Sequence, residues 1–262
     1  MLRDLDMIVH RFPSEINIYA IADVHLGALE HAETAWEAFL RRIKAEGAYI
    51  ILNGDLINNS TRGTKFANPF EEALRPREAK RKMVEYLDSI KDHVLCLTGG
   101  NHEARTARES DQDITYDIAC KLGIEHLYRE NVCFMAVSVG TRNTEKKAMA
   151  TYNFVVTHGS GGGALTGSAV TKAERFADVI DGMDCLVVAH THKGFVTRPT
   201  KLVMDSRNKQ VHERDYLVIS CVPWLAYAGY AAKAMLHPAH TCNPQAMRLI
   251  ADKDHKRIVT TW

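Results

Sequence analysis

The sequence predicts an α/β protein whose sheet is either mixed or packed against a second sheet. Short apolar runs alternate with segments in which apolar residues recur at helical spacing. The strand–helix–strand order of the first two thirds is the α/β signature. Beyond Phe195 the chain turns strand-rich, with apolar runs joined by polar turns.

Taken in order, residues 16–22 (INIYAIA) read as a buried strand. Ala32, Trp36, Phe39, Leu40 and Ile43 then fall on one helical face. Residues 48–52 (AYIIL) form a second strand. Ala79, Met83, Leu87 and Ile90 mark a helix, and residues 94–97 a strand. Ile114, Ile118 and Leu122 mark another helix. Residues 132–139 and 152–157 read as strands. Val170, Ala173, Ala177 and Ile180 mark a fourth helix before a strand at 185–189. Residues 202–204 and 216–222 close the pattern as strands. No repeat, low-complexity tract or linker interrupts it, so residues 1–262 are expected to form a single domain.

The bulk numbers exclude several classes. Of 262 residues, 46% are hydrophobic and 25% charged, as in ordinary globular proteins. With 33 Lys plus Arg against 32 Asp plus Glu, the formal net charge is +1, which gives no electrostatic footprint for bulk nucleic-acid binding. The cysteines at 96, 120, 133, 185, 221 and 242 lack zinc-ribbon spacing; those in apolar runs are expected as buried thiols in a reducing compartment. The N-terminal stretch has no long apolar core, and the chain has no run of 18 apolar residues, so a cytoplasmic protein without a membrane span is expected.

The chemistry lies where the apolar runs end. The first ends in Asp23-Val24-His25, the second in Asn53-Gly54-Asp55, the third in Gly99-Gly100-Asn101-His102-Glu103. Residues 154–157 lead to His158, and residues 185–189 to His190-Thr191-His192. In open α/β sheets ligands bind beyond the carboxyl ends of strands, so these groups are expected to converge. Asp23, His25, Asp55, Asn101, His158, His190 and His192 offer oxygen and imidazole without thiolate. That set suits Mn²⁺, Fe²⁺ or Zn²⁺. Seven donors are too many for one ion that must also admit water and substrate, so two ions sharing a carboxylate are expected. Such a pair clamps a phosphate and acidifies a water between its members. The glycines after His158, Gly159 and residues 161–163, are suited to bring backbone N–H groups to a phosphate.

These blocks resemble the calcineurin-like metallophosphoesterase family, whose motifs D-x-H, G-D, G-N-H-[ED], H and G-H-x-H occur here in order. They read Asp23-Val24-His25, Gly54-Asp55, Gly100-Asn101-His102-Glu103, His158 and His190-Thr191-His192. One departure is Ala189, which stands where the family has glycine. The resemblance implies a four-layer sandwich of two mixed sheets flanked by helices. It implies one metal held by Asp23, His25, Asp55 and His192 and a second by Asp55, Asn101, His158 and His190, with Asp55 bridging. Mn²⁺ is expected first, with Fe²⁺, Zn²⁺ or Ni²⁺ as alternatives. His102 would stand near the leaving oxygen as proton donor or charge stabiliser, and Glu103 would orient its neighbours. Asn101, Arg105 and Gly161 are the candidate substrate contacts, Arg105 as a bidentate phosphate ligand.

A looser likeness extends to DNA-repair exonucleases of the superfamily, through Asp23-Val24-His25-Leu26-Gly27, and to phage and prophage members. It favours a phosphodiester of a nucleic acid or nucleotide as the substrate. A phosphomonoesterase or protein phosphatase is the alternative within the class; a non-catalytic interaction module is the alternative outside it. A homo-oligomer is left open. Bland readings are expected for the basic run 75–82 as an exposed helix face and for Arg105 and Arg108 as solvated arginines at a helix start, with bidentate phosphate binding as the alternative for both. Surface exposure is expected for His31. Trp224, Tyr227 and Tyr230 are expected to pack in the core or at a dimer contact rather than to stack on bases.

Overall fold

The computed structural model describes residues 6–61, 72–141, 149–161, 165–228, 241–252 and 256–261. One six-stranded mixed sheet has the order β1 (Met7–Phe12), β6 (Val132–Val139), β7 (Ala150–Thr157), β8 (Cys185–Val188), β12 (Leu217–Ser220), β9 (Phe195–Thr197). The other has the order β14 (Ile258–Thr261), β13 (Ala246–Leu249), β2 (Ile16–Ile21), β3 (Tyr49–Asn53), β4 (Val94–Thr98), β5 (Tyr128–Arg129). A separate hairpin pairs β10 (Thr200–Asp205) with β11 (Gln210–Asp215). The helices are α1 (Glu33–Glu46), α2 (Pro76–Asp88), α3 (Glu103–Ser110), α4 (Ile114–Leu122) and α5 (Thr166–Ala177).

Side-chain alternation sets the layers, because successive strand residues point to opposite faces. Phe154, Val156, Cys185, Val187, Leu217 and Ile219 join the main core, while their neighbours Val155, Leu186 and Val218 join a second cluster with Ala169, Ala173 and Ala177 of α5. In the other sheet Met247 pairs with Ile18 and its sulfur lies 3.8 Å from Cys185 Sγ, so this face meets the first sheet. The next residue along β2, Tyr19, turns the opposite way and meets Phe39 of α1 edge-on at 5.5 Å. The layers are therefore helix, sheet, sheet, helix, the architecture the family resemblance implies.

Local chemistry explains the elements. Helix α1 buries Trp36, Phe39, Leu40 and Ile43 and stops at Gly47, whose left-handed φ of 59° is cheap only for glycine. Helix α2 starts with Pro76 at its first turn, where a missing N–H costs nothing. Helix α4 is capped by Asp113, whose carboxylate accepts from Tyr116 N–H at 2.9 Å. Strands β2, β3 and β4 are mutually parallel, and so are β7 and β8, so each group delivers its carboxyl ends to one edge.

Some expectations shift. Ile90 and Ile180 continue the helical apolar period but lie past the ends of α2 and α5, Ile90 in a turn with its side chain still buried. Strands β1, β13 and β14 were not expected; polar residues dilute their apolar patterns. Cys96, Cys133, Cys185 and Cys221 are buried and unpaired as expected. Trp224 is core, packed on Trp36 at 5.1 Å and Phe39 at 4.9 Å; Tyr227 is about half exposed, and Tyr230 lies outside the described residues. No described helix is long and apolar enough to cross a membrane.

Trp36 is fully buried at the junction of α1 and Trp224. Trp36→Ala is expected to cost about 3–5 kcal/mol. The check is urea unfolding, with the midpoint falling at unchanged slope.

Candidate metal centre

The two sheets deliver their strand ends to one place. Beyond β2 and β3 the backbones stay paired: Asp23 N–H donates to Gly54 O at 3.2 Å, His25 N–H to Asp55 O at 3.0 Å and Leu26 N–H to Leu56 O at 3.1 Å. From the other sheet, Ala189 N–H donates to His158 O at 3.1 Å, keeping the ends of β7 and β8 together. Asn53 ties one set to the other. Its carboxamide donates to Thr157 O at 2.9 Å and accepts from Thr98 Oγ1 at 2.7 Å, and its carbonyl oxygen lies 2.7 Å from His158 Nδ1. That last bond places the imidazole proton on Nδ1 and turns Nε2 inward.

All seven candidate ligands lie in this cluster, in two groups. In one, His192 Nε2 is 3.3 Å from Asp23 Oδ1 and 3.1 Å from His25 Nε2, and His25 Nε2 is 3.9 Å from Asp55 Oδ2. In the other, His158 Nε2 is 3.2 Å from Asp55 Oδ2 and 3.1 Å from Asn101 Oδ1, and His190 Nδ1 is 2.6 Å from the same Asn101 oxygen. Asp55 Oδ2 is the atom common to both groups, and Asp55 Oδ1 accepts from His102 N–H at 2.8 Å. Ala189 does no harm where the family has glycine: it is absent from the left-handed residues, and His190 and His192 still enter the cluster.

The backbone here is strained in a recognisable way. Of nine described non-glycine residues with positive φ, five are Asp23, His25, Asp55, His190 and His192. Left-handed single residues are costly for a side chain with Cβ and concentrate at functional sites. Gly54 and Gly100 make the approach possible. A Cβ on Gly54 would come within 2.7 Å of Gly100 Cα, and one on Gly100 would fall on the amide nitrogen and Oδ1 of Asp55.

The electrostatics call for cations. Burial alone would raise Asp55, but His102, His158 and His25 outweigh it and hold the carboxyl well below its ordinary range. Asp23 is lowered too, with burial opposed by His192. Burial works against a charged His158, yet its bond to Asp55 and the charges of Asp55 and Asp23 raise it to about 10. Protons thus stand in for positive charge. Asp23 Oδ1 is buried without a completed hydrogen bond. The facing His25 and His192 nitrogens can share at most one proton. A carboxylate, carboxamide and imidazole set with these features fits divalent ions.

Around the cluster stands a polar frame that sequence reasoning partly missed. Glu103 is buried, and its carboxylate accepts from the amides of Asp55 at 3.0 Å, Ile57 at 3.1 Å and Gly100 at 3.2 Å, so it clamps the loop after β3 to the loop after β4. Burial and the Asp55 charge raise it to about 7. His102 Nδ1 bonds to Asn58 O at 2.7 Å, leaving Nε2 facing the site, 3.8 Å from Asp55 Oδ2. Arg105 donates to that Nε2 at 2.9 Å and to Asn58 O at 3.0 Å. Asn59 holds φ at 47° and donates to His102 O at 2.7 Å. Asn53 and Asn59 carry no motif; the signals available were Asn53 at the end of an apolar run and the Asn58-Asn59 pair in the loop after it.

The remaining candidates spread out. A cleft of ≈ 560 Å³ opens from Asn101 and His158 toward α5, with Gly161 and Lys172 on its rim. Gly162 and Gly163 lie outside the described residues. Arg108 is turned onto its own helix, to Ala104 O at 3.2 Å. His31 is part-buried rather than a surface residue: its Nδ1 bonds to Val24 O at 2.8 Å, behind Asp23 and His25. The basic run on α2 engages acids of neighbouring elements, as with Lys80 and Asp117 at 2.8 Å.

The sequence model of calcineurin-like phosphoesterases matches residues 16–194, more than two thirds of the chain. The chain belongs to this family and is a metal-dependent hydrolase of phosphate esters. Among solved structures it is similar to a metallophosphoesterase from Sphaerobacter thermophilus, with 16% identity, a TM-score of 0.42, and 94% of this chain and 87% of that one covered. It is also similar to a predicted phosphoesterase from Streptococcus pneumoniae TIGR4, with 10% identity, a TM-score of 0.38, and 95% and 99% covered. Both likenesses are loose. No curated protein matches the chain.

Gly100→Ala is expected to push Asp55 off its position and to abolish binding of divalent ions, measured by calorimetry. Gly47→Ala substitutes a glycine that is left-handed, with φ 59°, but nothing lies within 4 Å of the new methyl. It should cost about 1 kcal/mol of stability and leave metal binding as it was.

Proposed function

We propose that the protein is a dinuclear phosphodiesterase acting on a nucleotide or nucleic-acid ester. The observation that carries the reading is the sharing of one carboxylate oxygen, Asp55 Oδ2, between two groups of donors. Asp23, His25, Asp55 and His192 would hold one ion; Asp55, Asn101, His158 and His190 the other. Mn²⁺ suits this set, as do Fe²⁺, Zn²⁺ and Ni²⁺. Two divalent ions held there would neutralise phosphate oxygens and lower the pKa of a water for in-line displacement.

The chain's own groups supply the rest. Asp55 is fixed on both oxygens, by His102 N–H on Oδ1 and by the donor groups on Oδ2, so its position does not depend on substrate. His102 presents Nε2 at the edge of the cluster, where it can hold a proton for the departing alcohol oxygen. Arg105 rests on that same nitrogen in this structure. When a phosphate enters, its planar guanidinium can turn to the anion and pair with two oxygens. The backbone at Gly161 and the Asn101 side chain complete the substrate contacts in this reading. Hydrolysis in the cytoplasm, by a monomer or a homo-oligomer, is compatible with the chain.

Hydrolysis of bis(p-nitrophenyl) phosphate is expected with added Mn²⁺, with none after chelation and full recovery on adding the ion back. Asp55→Asn should lower kcat at least about 10³-fold with the fold intact by circular dichroism, since both donor groups lose their common charge. Full activity in that variant would refute the assignment. Arg105→Ala is expected to raise KM by roughly tenfold or more, as removal of a charge-assisted pair worth about 1.5–3 kcal/mol implies.

A further inference from the structure

The cluster is flanked differently at its two ends. His102 stands at the Asp23–His25 end: its ring lies 4.4 Å from that of His25, and its reactive nitrogen groups with His25 and Asp55. The cleft opens from the other end, where Asn101 and His158 line it and His102 does not. Its volume of ≈ 560 Å³ falls in the range of small-ligand pockets. Val132, Ala169, Ala173, Phe176, Val188 and Phe195 give it apolar walls next to a strongly polar centre. Among the described residues lining it, Lys172 is the only lysine or arginine, and its ammonium is seated on Ser160 O and Oγ. A polynucleotide track requires several phosphate contacts; a lone ammonium beyond an apolar wall does not make one.

We propose that this cleft holds the organic group that remains on phosphorus in a small phosphodiester, a flat ring system of nucleobase size whose polar edge reaches Lys172. The inference rests on the phosphodiesterase reading above and narrows its substrate class. In the reaction, water oxygen bonds to phosphorus, the P–O bond on the His102 side breaks, and the departing alcohol takes up a proton. The ester on the α5 side survives, so the product is a monoester still lodged between Phe176 and Phe195. A monoester substrate would leave either His102 or the cleft unused.

The test keeps the leaving group constant and varies the retained one. The Mn²⁺-loaded protein is assayed on p-nitrophenyl esters of methyl phosphate, phenyl phosphate and thymidine 5′-monophosphate. The expected result is kcat/KM rising at least about tenfold from methyl to thymidine, the scale that filling an apolar pocket supports. Ser168→Trp places a large ring in the cleft mouth from an exposed position on α5, and Phe176→Ala removes one wall. Each should bring the thymidine-to-methyl ratio toward one. Equal kcat/KM across the series, or a preference that survives both variants, overturns the proposal and leaves the phosphodiesterase reading standing. If no ester is cleaved, that reading fails, and calorimetry with thymidine 5′-monophosphate decides the cleft separately. Binding to the native protein that weakens in both variants supports it; no binding, or binding unchanged in both, overturns it.

Discussion

The structure depends on the closure made at Asn53. Two sheets pack through apolar faces that have no directional preference, so apolar contact alone would let their edges slide. Asn53 fixes the register: its carboxamide spans from β4 to the carbonyl of Thr157, and its own carbonyl takes the Nδ1 proton of His158. All of this happens in the interior, where an unmet amide costs about 1–3 kcal/mol. The penalty for slipping is therefore high. Once the register is set, residues separated by more than a hundred positions in sequence, such as Asp55 and His158, come to lie 3.2 Å apart.

Strain and charge are concentrated where the edges meet. Left-handed turns at Asp23, His25, Asp55, His190 and His192 aim side chains inward that a relaxed strand exit would scatter. The two carboxylates are buried with imidazoles for company, and the imidazoles can neutralise them only by taking protons, as His158 does. A site built this way is unstable with respect to gaining cations. Glu103 stands apart from this demand. Its oxygens are occupied by three backbone amides, so it serves the loops that carry Asp55 and Gly100 and faces no ligand.

The two ends of the cluster differ in chemical character. The His102 end is polar and framed by Asn58, Asn59 and Arg105. The α5 end is apolar and of limited volume, a place for shape rather than charge.

The sequence by itself determined a good deal. Apolar periodicity placed the main helices and most sheet strands, because burial demands a period of two or of 3.6 and little else produces it. The chemistry was legible because each donor ends an apolar run, and a strand end is a fixed point in an α/β sheet. It could not reveal β1, β13 and β14, whose polar-diluted patterns carry little apolar signal, nor the roles of Asn53 and Asn59, which bind backbone atoms far away in the chain. Tertiary structure alone decided that Asp55 Oδ2 faces both donor groups and that His102 and the α5 cleft lie at opposite ends. Such facts depend on distances between segments remote in sequence, and those are set by how two sheets pack.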